Sequence, residues 1–311
     1  MRLDIIEIKS ENKKLKLILL IIGTILFITV FSFLGIKAAE SYNKKLIASR
    51  RAKREQLLQQ QIITSNQNRK ENIEHINNAE QLIENMNINQ LPVYSESAKN
   101  KMKNIYVSNE KIAYLTFDDG PSQTVTPLVL DLLKKENIKA TFFVLGTRVK
   151  VNPDIVKRAY NEGHYIANHG YTHEYSKIYN SVDNVIKEYN KNEKAIQDAI
   201  GVKEYNSHLF RFPGGSNGGR YDKLKQKAKK ELNKKNIAYL DWNALTNDAA
   251  GANTKKKILK NLKETVKDKN SVVILMHDAS NKILTYETLP DIIQYLREQG
   301  YRFDNFYSIM K

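Results

Sequence analysis

Ile112-Ala113-Tyr114-Leu115-Thr116-Phe117-Asp118-Asp119-Gly120 is a short β-branched and aromatic run that breaks into two carboxylates and a glycine. Such a run reads as a strand, and the Asp-Asp-Gly reads as the turn that ends it. The pattern repeats downstream. Strands are expected over residues 112–117, 140–145, 165–168, 209–212, 237–242, 272–276 and, briefly, 301–303. Helical stretches over 126–136, 153–162, 182–200, 221–235, 254–267 and 288–299 alternate with them, and Gly163, Gly201 and Gly300 stand as stops. Strict β-α alternation implies an α/β fold with a parallel sheet. Seven repeats point to a distorted or incomplete (β/α)7 barrel, with an open doubly wound sheet as the alternative. No G-x-G-x-x-G follows the first strand, and Gly214-Gly215 with Gly218-Gly219 lacks the Lys-Ser/Thr of a phosphate-binding loop.

Upstream the character changes. Residues 17–36 carry no charge, and at about 1.5 Å per residue they match a hydrocarbon core of roughly 30 Å. A transmembrane anchor is expected there, behind a short basic segment, residues 1–16. A cleaved signal peptide is the rival, since Ala38 and Ala39 follow, but the apolar run is long for one and Lys37 spoils the cleavage pattern. Basic residues flank the span on both sides, so charge alone does not orient it. Residues 40–86 lack Gly and Pro and scatter apolar positions such as Leu46, Leu57, Ile62, Ile73, Ile76, Leu82 and Ile83 without a sustained heptad. Residues 37–103 are therefore expected to form a solvated helical stalk and linker, ended by Pro92 and the polar stretch 95–100. A catalytic domain over 104–311 follows.

The whole chain has 311 residues, a formal charge of +16 and no cysteine. The length suffices for a buried core without disulfides. The missing thiols exclude a cysteine nucleophile and any Cys-ligated metal or cluster, so a metal must be held by His, Asp or Glu. The positive charge favours an anionic partner such as a wall polymer, phospholipid or nucleic acid, and a well-solvated surface explains it equally well.

In β/α barrels the chemistry gathers at the carboxyl ends of the strands. There the first strand offers Asp118 and Asp119, the third runs into Asn168 and His169 with His173 beyond, the fourth ends in Arg211 and the sixth in His277-Asp278. His169 and His173 stand at i and i+4, a spacing that lets both reach one ion. Alone that spacing is weak, and so is Asp-Asp-Gly. A barrel brings the two strand ends together, giving two imidazoles and one carboxylate with open positions, a catalytic coordination set. The other aspartate is then free to take a proton from water, kept ionised by a cation for which Arg211 is the candidate.

With these residues in place, residues 105–311 resemble the polysaccharide deacetylase family, also called the NodB-homology or carbohydrate esterase 4 family. The chain follows the family's five motifs in order, the fourth least faithfully. T-F-D-D-G is Thr116 to Gly120, whose first aspartate, Asp118, is by resemblance the general base and whose second, Asp119, is a metal ligand. H-S/T-x-x-H is His169 to His173, both histidines being ligands, with Gly170 in the place of the hydroxyl residue. R-x-P-Y is Arg211-Phe212-Pro213-Gly214: the arginine orients the base, and the fourth residue offers its backbone N–H to the oxyanion. L-x-H is Leu275-Met276-His277, the histidine being the general acid. The family's Asp-Trp pair falls on Asp248-Ala249, so Asp248 supports the acid while the indole is missing. Trp242, the only tryptophan, is expected to line the groove or to belong to the core.

The resemblance implies metal-dependent hydrolysis of N-acetyl groups on a cell-wall polysaccharide, with peptidoglycan N-acetylglucosamine as the foremost substrate. Zinc is the foremost metal, with cobalt or manganese as alternatives. N-acetylmuramic acid, chitin-like and O-acetylated polymers stay open, as does a wall-binding protein that has lost turnover. The expected location is the cell membrane, single-pass, with the catalytic domain outside the cytoplasm. No nucleic-acid partner is expected, and the oligomeric state is open. His75, His164 and His208 are expected at the surface.

Overall fold

A computed structural model describes the backbone of residues 2–89 and 91–311 and the side chains of residues 15–74 and 91–311. The side chains of most of the basic segment and of His75, Ile76, Leu82 and Ile83 lie outside the described residues. The chain divides into two compact units, Met1–Glu80 and Gln81–Lys311.

Helix α1, Arg2–Asn89, supplies the described backbone of the first unit and continues past Glu80. Among the described residues, this is the one helix long and apolar enough to cross a membrane, and its residues 17–36 are exposed throughout. The polar part that follows is also helical, as the absence of Gly and Pro leads one to expect, and its residues 37–74 are exposed.

The second unit begins before residue 104, earlier than its sequence suggests. Helix α2, Glu96–Lys103, is capped by Ser95, whose Oγ accepts from Ala98 N at 3.2 Å and donates to Lys311 O at 2.8 Å. Ala98 and Met102, one turn apart, are buried. Enclosing Met102 alone is worth about 1.5–3 kcal/mol. This segment is part of the packed domain and not of a linker.

The α/β alternation then holds except at one place: the expected strand over 237–242 is cut to residues 238–239, and an unexpected short strand, 244–245, follows it with no helix between, giving eight strands where seven are expected. Eight strands form one parallel sheet: β1 Ile112–Asp118, β2 Thr141–Val144, β3 Tyr165–Asn168, β4 Leu209–Phe210, β5 Ala238–Tyr239, β6 Ala244–Leu245, β7 Ser271–His277 and β8 Arg302–Asp304. Their order is β5-β4-β3-β2-β1-β7-β6, with β8 paired to the start of β1. β5 and β6 do not pair, so the barrel is incomplete, as expected. Helices α3 Thr126–Lys135, α4 Gly146–Val151, α5 Pro153–Asn161, α6 Tyr175–Ile178, α7 Val182–Ile200, α8 Asp222–Lys234, α9 Lys255–Val266 and α10 Ile283–Glu298 fill the crossovers.

β1 sits centrally, and its alternation sorts the core. Ala113, Leu115 and Phe117 pack with the crossover helices, against residues such as Val129, Leu262 and Ile292. Ile112 and Tyr114 face the other way, toward Phe143, Val273, α2 and Phe306. Being buried on both faces is what allows a nearly unbroken apolar run in this strand. α10 starts five residues before its expected beginning and carries Pro290 inside it. His164, expected at the surface, is fully buried: its Nδ1 accepts from Ala140 N at 3.0 Å, because β2 and β3 enclose it. His208, also expected at the surface, is half-buried, its Nδ1 lying 2.9 Å from the Asn236 carbonyl oxygen.

Candidate metal centre and active site

β1 delivers Asp118 while still extended, and the chain then turns through Asp119 at φ 73°. His173 also sits at positive φ, 61°. Left-handed backbone at a non-glycine residue is uncommon and is held by its surroundings, and such positions cluster at functional sites. Both turns aim side chains at one point. Asp119 Oδ1 lies 3.5 Å from His169 Nε2 and 3.4 Å from His173 Nε2. One ligand atom from each of the three residues falls within 4.8 Å of the others. Asp119 Oδ1 is buried with no hydrogen-bond partner. An orphaned carboxylate oxygen facing two imidazole nitrogens is the arrangement a divalent cation satisfies, so the residues present fit a metal.

Neighbouring groups prepare this set. His169 Nδ1 donates to Arg211 O at 2.8 Å, which leaves the Nε2 lone pair pointing at the site. Burial lowers the His169 pKa and keeps the ring neutral, as a ligand requires. Gly170 supplies no hydroxyl, and the turn is held from elsewhere. The Glu188 carboxylate, on α7, accepts from Tyr171 N at 2.8 Å, Thr172 N at 2.7 Å and Thr172 Oγ1 at 3.2 Å.

Asp118 Oδ1 accepts from Arg211 Nη1 at 2.8 Å. Arg211 is fully buried; it also donates to Thr116 Oγ1 at 2.8 Å and to the Leu240 and Asp241 carbonyls at 3.2 Å, and it stacks 3.8 Å from the Phe143 ring. These partners fix the guanidinium and leave Asp118 Oδ2, 3.8 Å from His169 Nε2, outside the ion pair.

In register, Asp118 pairs with His277 at the end of β7. His277 Nδ1 contacts Asp248 Oδ1 at 2.9 Å, while Asp248 Oδ2 accepts from His277 N at 2.9 Å and Thr285 Oγ1 at 2.8 Å. Burial works against both charges, yet the hydrogen bond and mutual attraction prevail, raising the His277 pKa and lowering that of Asp248. Leu275, two residues earlier, shares the His277 face of the strand.

Gly214 has φ 74°, a left-handed conformation that favours glycine, and the Tyr175 hydroxyl fills the space where a side chain would begin. Lys225 Nζ donates to Gly215 O at 2.7 Å and Tyr179 Oη to Pro213 O at 2.7 Å, tying the carbonyls of this loop. Gly214 N–H itself has no partner among the described residues. Trp242 is half-buried beside Gly215 and 5.8 Å from Arg211 Cζ, packed against the core cluster that holds Leu240 and Val273. Asp119, His169 and His173 thus come together, Asp118 and His277 adjoin them, and Arg211 and Asp248 stand one contact behind.

Sequence reasoning missed Glu188 and Tyr175, and it placed Asp278 at a strand end without giving it a role. Asp278 is fully buried; burial foremost pushes its pKa up to about 7, and Thr126 Oγ1 donates to it at 2.6 Å. Any Cβ on Gly120 would meet its carboxyl group, so the glycine of Asp-Asp-Gly was the available signal for it.

The family signature described as polysaccharide deacetylase matches residues 106–237. A peptidoglycan-N-acetylglucosamine deacetylase of Bacillus cereus is 36% identical over 203 residues, covering 64% of this chain and 70% of its own. The chain belongs to the polysaccharide deacetylase family. A Listeria monocytogenes peptidoglycan-N-acetylglucosamine deacetylase is 35% identical over 63% of this chain but only 38% of its own length. Among solved structures, a Streptococcus mutans esterase of carbohydrate esterase family 4 superposes with a TM-score of 0.59 at 30% identity, covering 68% of this chain and 92% of the other. The expected fold and the expectation of a hydrolytic polysaccharide deacetylase therefore stand.

Proposed function

We propose that this family member removes acetyl groups from N-acetylglucosamine residues of peptidoglycan, working outside a membrane in which residues 17–36 anchor it. The observation that carries this reading is the convergence of Asp119, His169 and His173 beside Asp118 and His277. The relatives' activity supports the choice of sugar, and the apolar helix followed by a polar helical spacer supports the location.

Zinc is the favoured metal, because two neutral imidazoles and one carboxylate with open positions suit it. Bound there, it supplies Lewis acidity toward the acyl oxygen and toward water. Asp118, oriented by Arg211, accepts a proton from the attacking water through Oδ2. The Gly214 N–H donates to the developing oxyanion, a contribution of about 3–4 kcal/mol per donor in comparable sites. His277, held protonated by Asp248, gives its proton to the nitrogen as the C–N bond breaks, so that acetate and a free amine leave. Leu275 and Trp242 wall the groove.

Turnover-free wall binding is disfavoured, since the Asp248–His277 pair is intact although Ala249 stands where the family has tryptophan. Asp118→Asn tests the reading: acetate release from purified peptidoglycan should stop while the fold persists. Unchanged release would remove Asp118 as the base.

A further inference from the structure

A cavity of about 240 Å³ opens beside Asp119, walled by the loop after β1, the end of α4 and the residues after β7. Three of its residues are unexplained by the reaction. Arg148 is exposed, and its guanidinium has no hydrogen-bond or ion-pair partner among the described residues. Val151 leaves 68% of its surface in water. Asn152 is only 8% exposed: its Nδ2 donates to Pro121 O at 3.0 Å, and its Oδ1 is buried without any partner.

The position of this wall is fixed relative to the metal centre. Leu145 N, at the head of α4, donates to Gly120 O at 2.9 Å; Gly146 N and Thr147 N donate to Gly170 O at 3.1 Å and Tyr171 O at 2.9 Å. α4 is therefore pinned both to the loop carrying Asp119 and to the turn carrying His169 and His173. Asp119 is the one carboxylate lining the cavity, and it faces the two imidazoles.

The chemistry of the vacant groups is complementary to an acidic sugar. An unpaired guanidinium takes a carboxylate through two parallel N–H bonds. An orphaned buried acceptor takes a hydroxyl or amide N–H, and an exposed valine takes a methyl group or a sugar face. We propose that this cavity is a subsite for the sugar next to the one deacetylated, and that Arg148 binds a carboxylate on that sugar's substituent while Asn152 Oδ1 accepts from its hydroxyl or amide. The proposal rests on the deacetylase reading and adds a specificity: acidic N-acylated glycans over neutral ones. The carboxylate comes either from an acid linked directly to the sugar or from a peptide attached to it.

The test uses the full-length, zinc-loaded chain in detergent and compares kcat/KM for acetate release from four soluble substrates. These are glycan strands stripped of peptide, the same strands with their carboxyls amidated, intact peptide-bearing strands and neutral N-acetylglucosamine oligomers. Arg148→Gln should lose about tenfold on a carboxylate-bearing substrate and stay within about twofold on the amidated and neutral ones, with Arg148→Lys in between. Loss on stripped strands assigns the carboxylate to the sugar; loss on intact strands alone assigns it to the peptide. An equal loss on all four substrates, or none on any, overturns the subsite. If the wild type releases no acetate from any of them, the deacetylase reading fails. Calorimetric binding of stripped against amidated strands then decides the subsite separately: a preference that Arg148→Gln abolishes upholds it, and equal affinities overturn it.

Discussion

Replacing Asp248 by Asn keeps the shape of the acid's support and removes its charge. In the wild type the carboxylate lies 2.9 Å from His277 Nδ1, with the two side chains 3% and 11% exposed. At an effective dielectric of about 20, unit charges some 4 Å apart attract by about 4 kcal/mol. That attraction, with the hydrogen bond, is what overcomes burial and raises the His277 pKa. The sign follows directly. A general acid works only while protonated, so a raised pKa extends activity toward high pH, and losing the carboxylate draws the alkaline limb of the kcat profile toward acid. Asp248→Asn should therefore lower kcat at pH 7 by about 10²–10³-fold, within the range a positioned general acid contributes. The loss should shrink below pH 6 and grow above pH 8. Acetate release measured from pH 5 to 9 is the assay. A uniform loss, with the alkaline limb unmoved, would refute the assignment of Asp248 as the group that keeps His277 protonated.

Glu188→Ala removes the acceptor of three hydrogen bonds behind the histidine turn, and zinc affinity measured by chelator competition should fall about 10–100-fold while Tm changes little; unchanged affinity would show that the turn holds itself. His164, buried and pushed down to about 3, is bound neutral in the folded chain, so it contributes stability that is complete above pH 6.5 and lost as pH falls toward 3, at most about 5 kcal/mol. Urea unfolding of the wild type and His164→Asn should show a steeper acid loss in the wild type, and parallel curves would contradict this.

Much of the fold is legible because β1 is buried on both faces and the crossover helices carry regular apolar stripes; residues 182–200 coincide with α7, closed by Gly201 in the left-handed conformation. What escapes the sequence depends on tertiary partners. α2 has just two buried positions, too few for a periodic signal, and its burial is decided by its contact with the chain end. β4 and β5 have two residues each, and just beyond them Arg211 gives its guanidinium to Asp118 and Asp241 its carbonyl to Arg211. His164 has no local mark of burial; Ala140, just before β2, supplies its partner from 24 residues away. Glu188 reads as a solvated helix carboxylate until α7 brings it under Thr172. The motif residues at the strand ends were legible since each sits where a parallel strand must stop.

The most direct measurement is acetate release from purified peptidoglycan by the full-length chain, after chelation and then during titration with zinc. The account predicts that release is lost on chelation and returns at one equivalent of zinc in the wild type but not in His173→Ala. Release that survives complete chelation, or that zinc restores equally in the variant, would contradict a cation held by Asp119, His169 and His173.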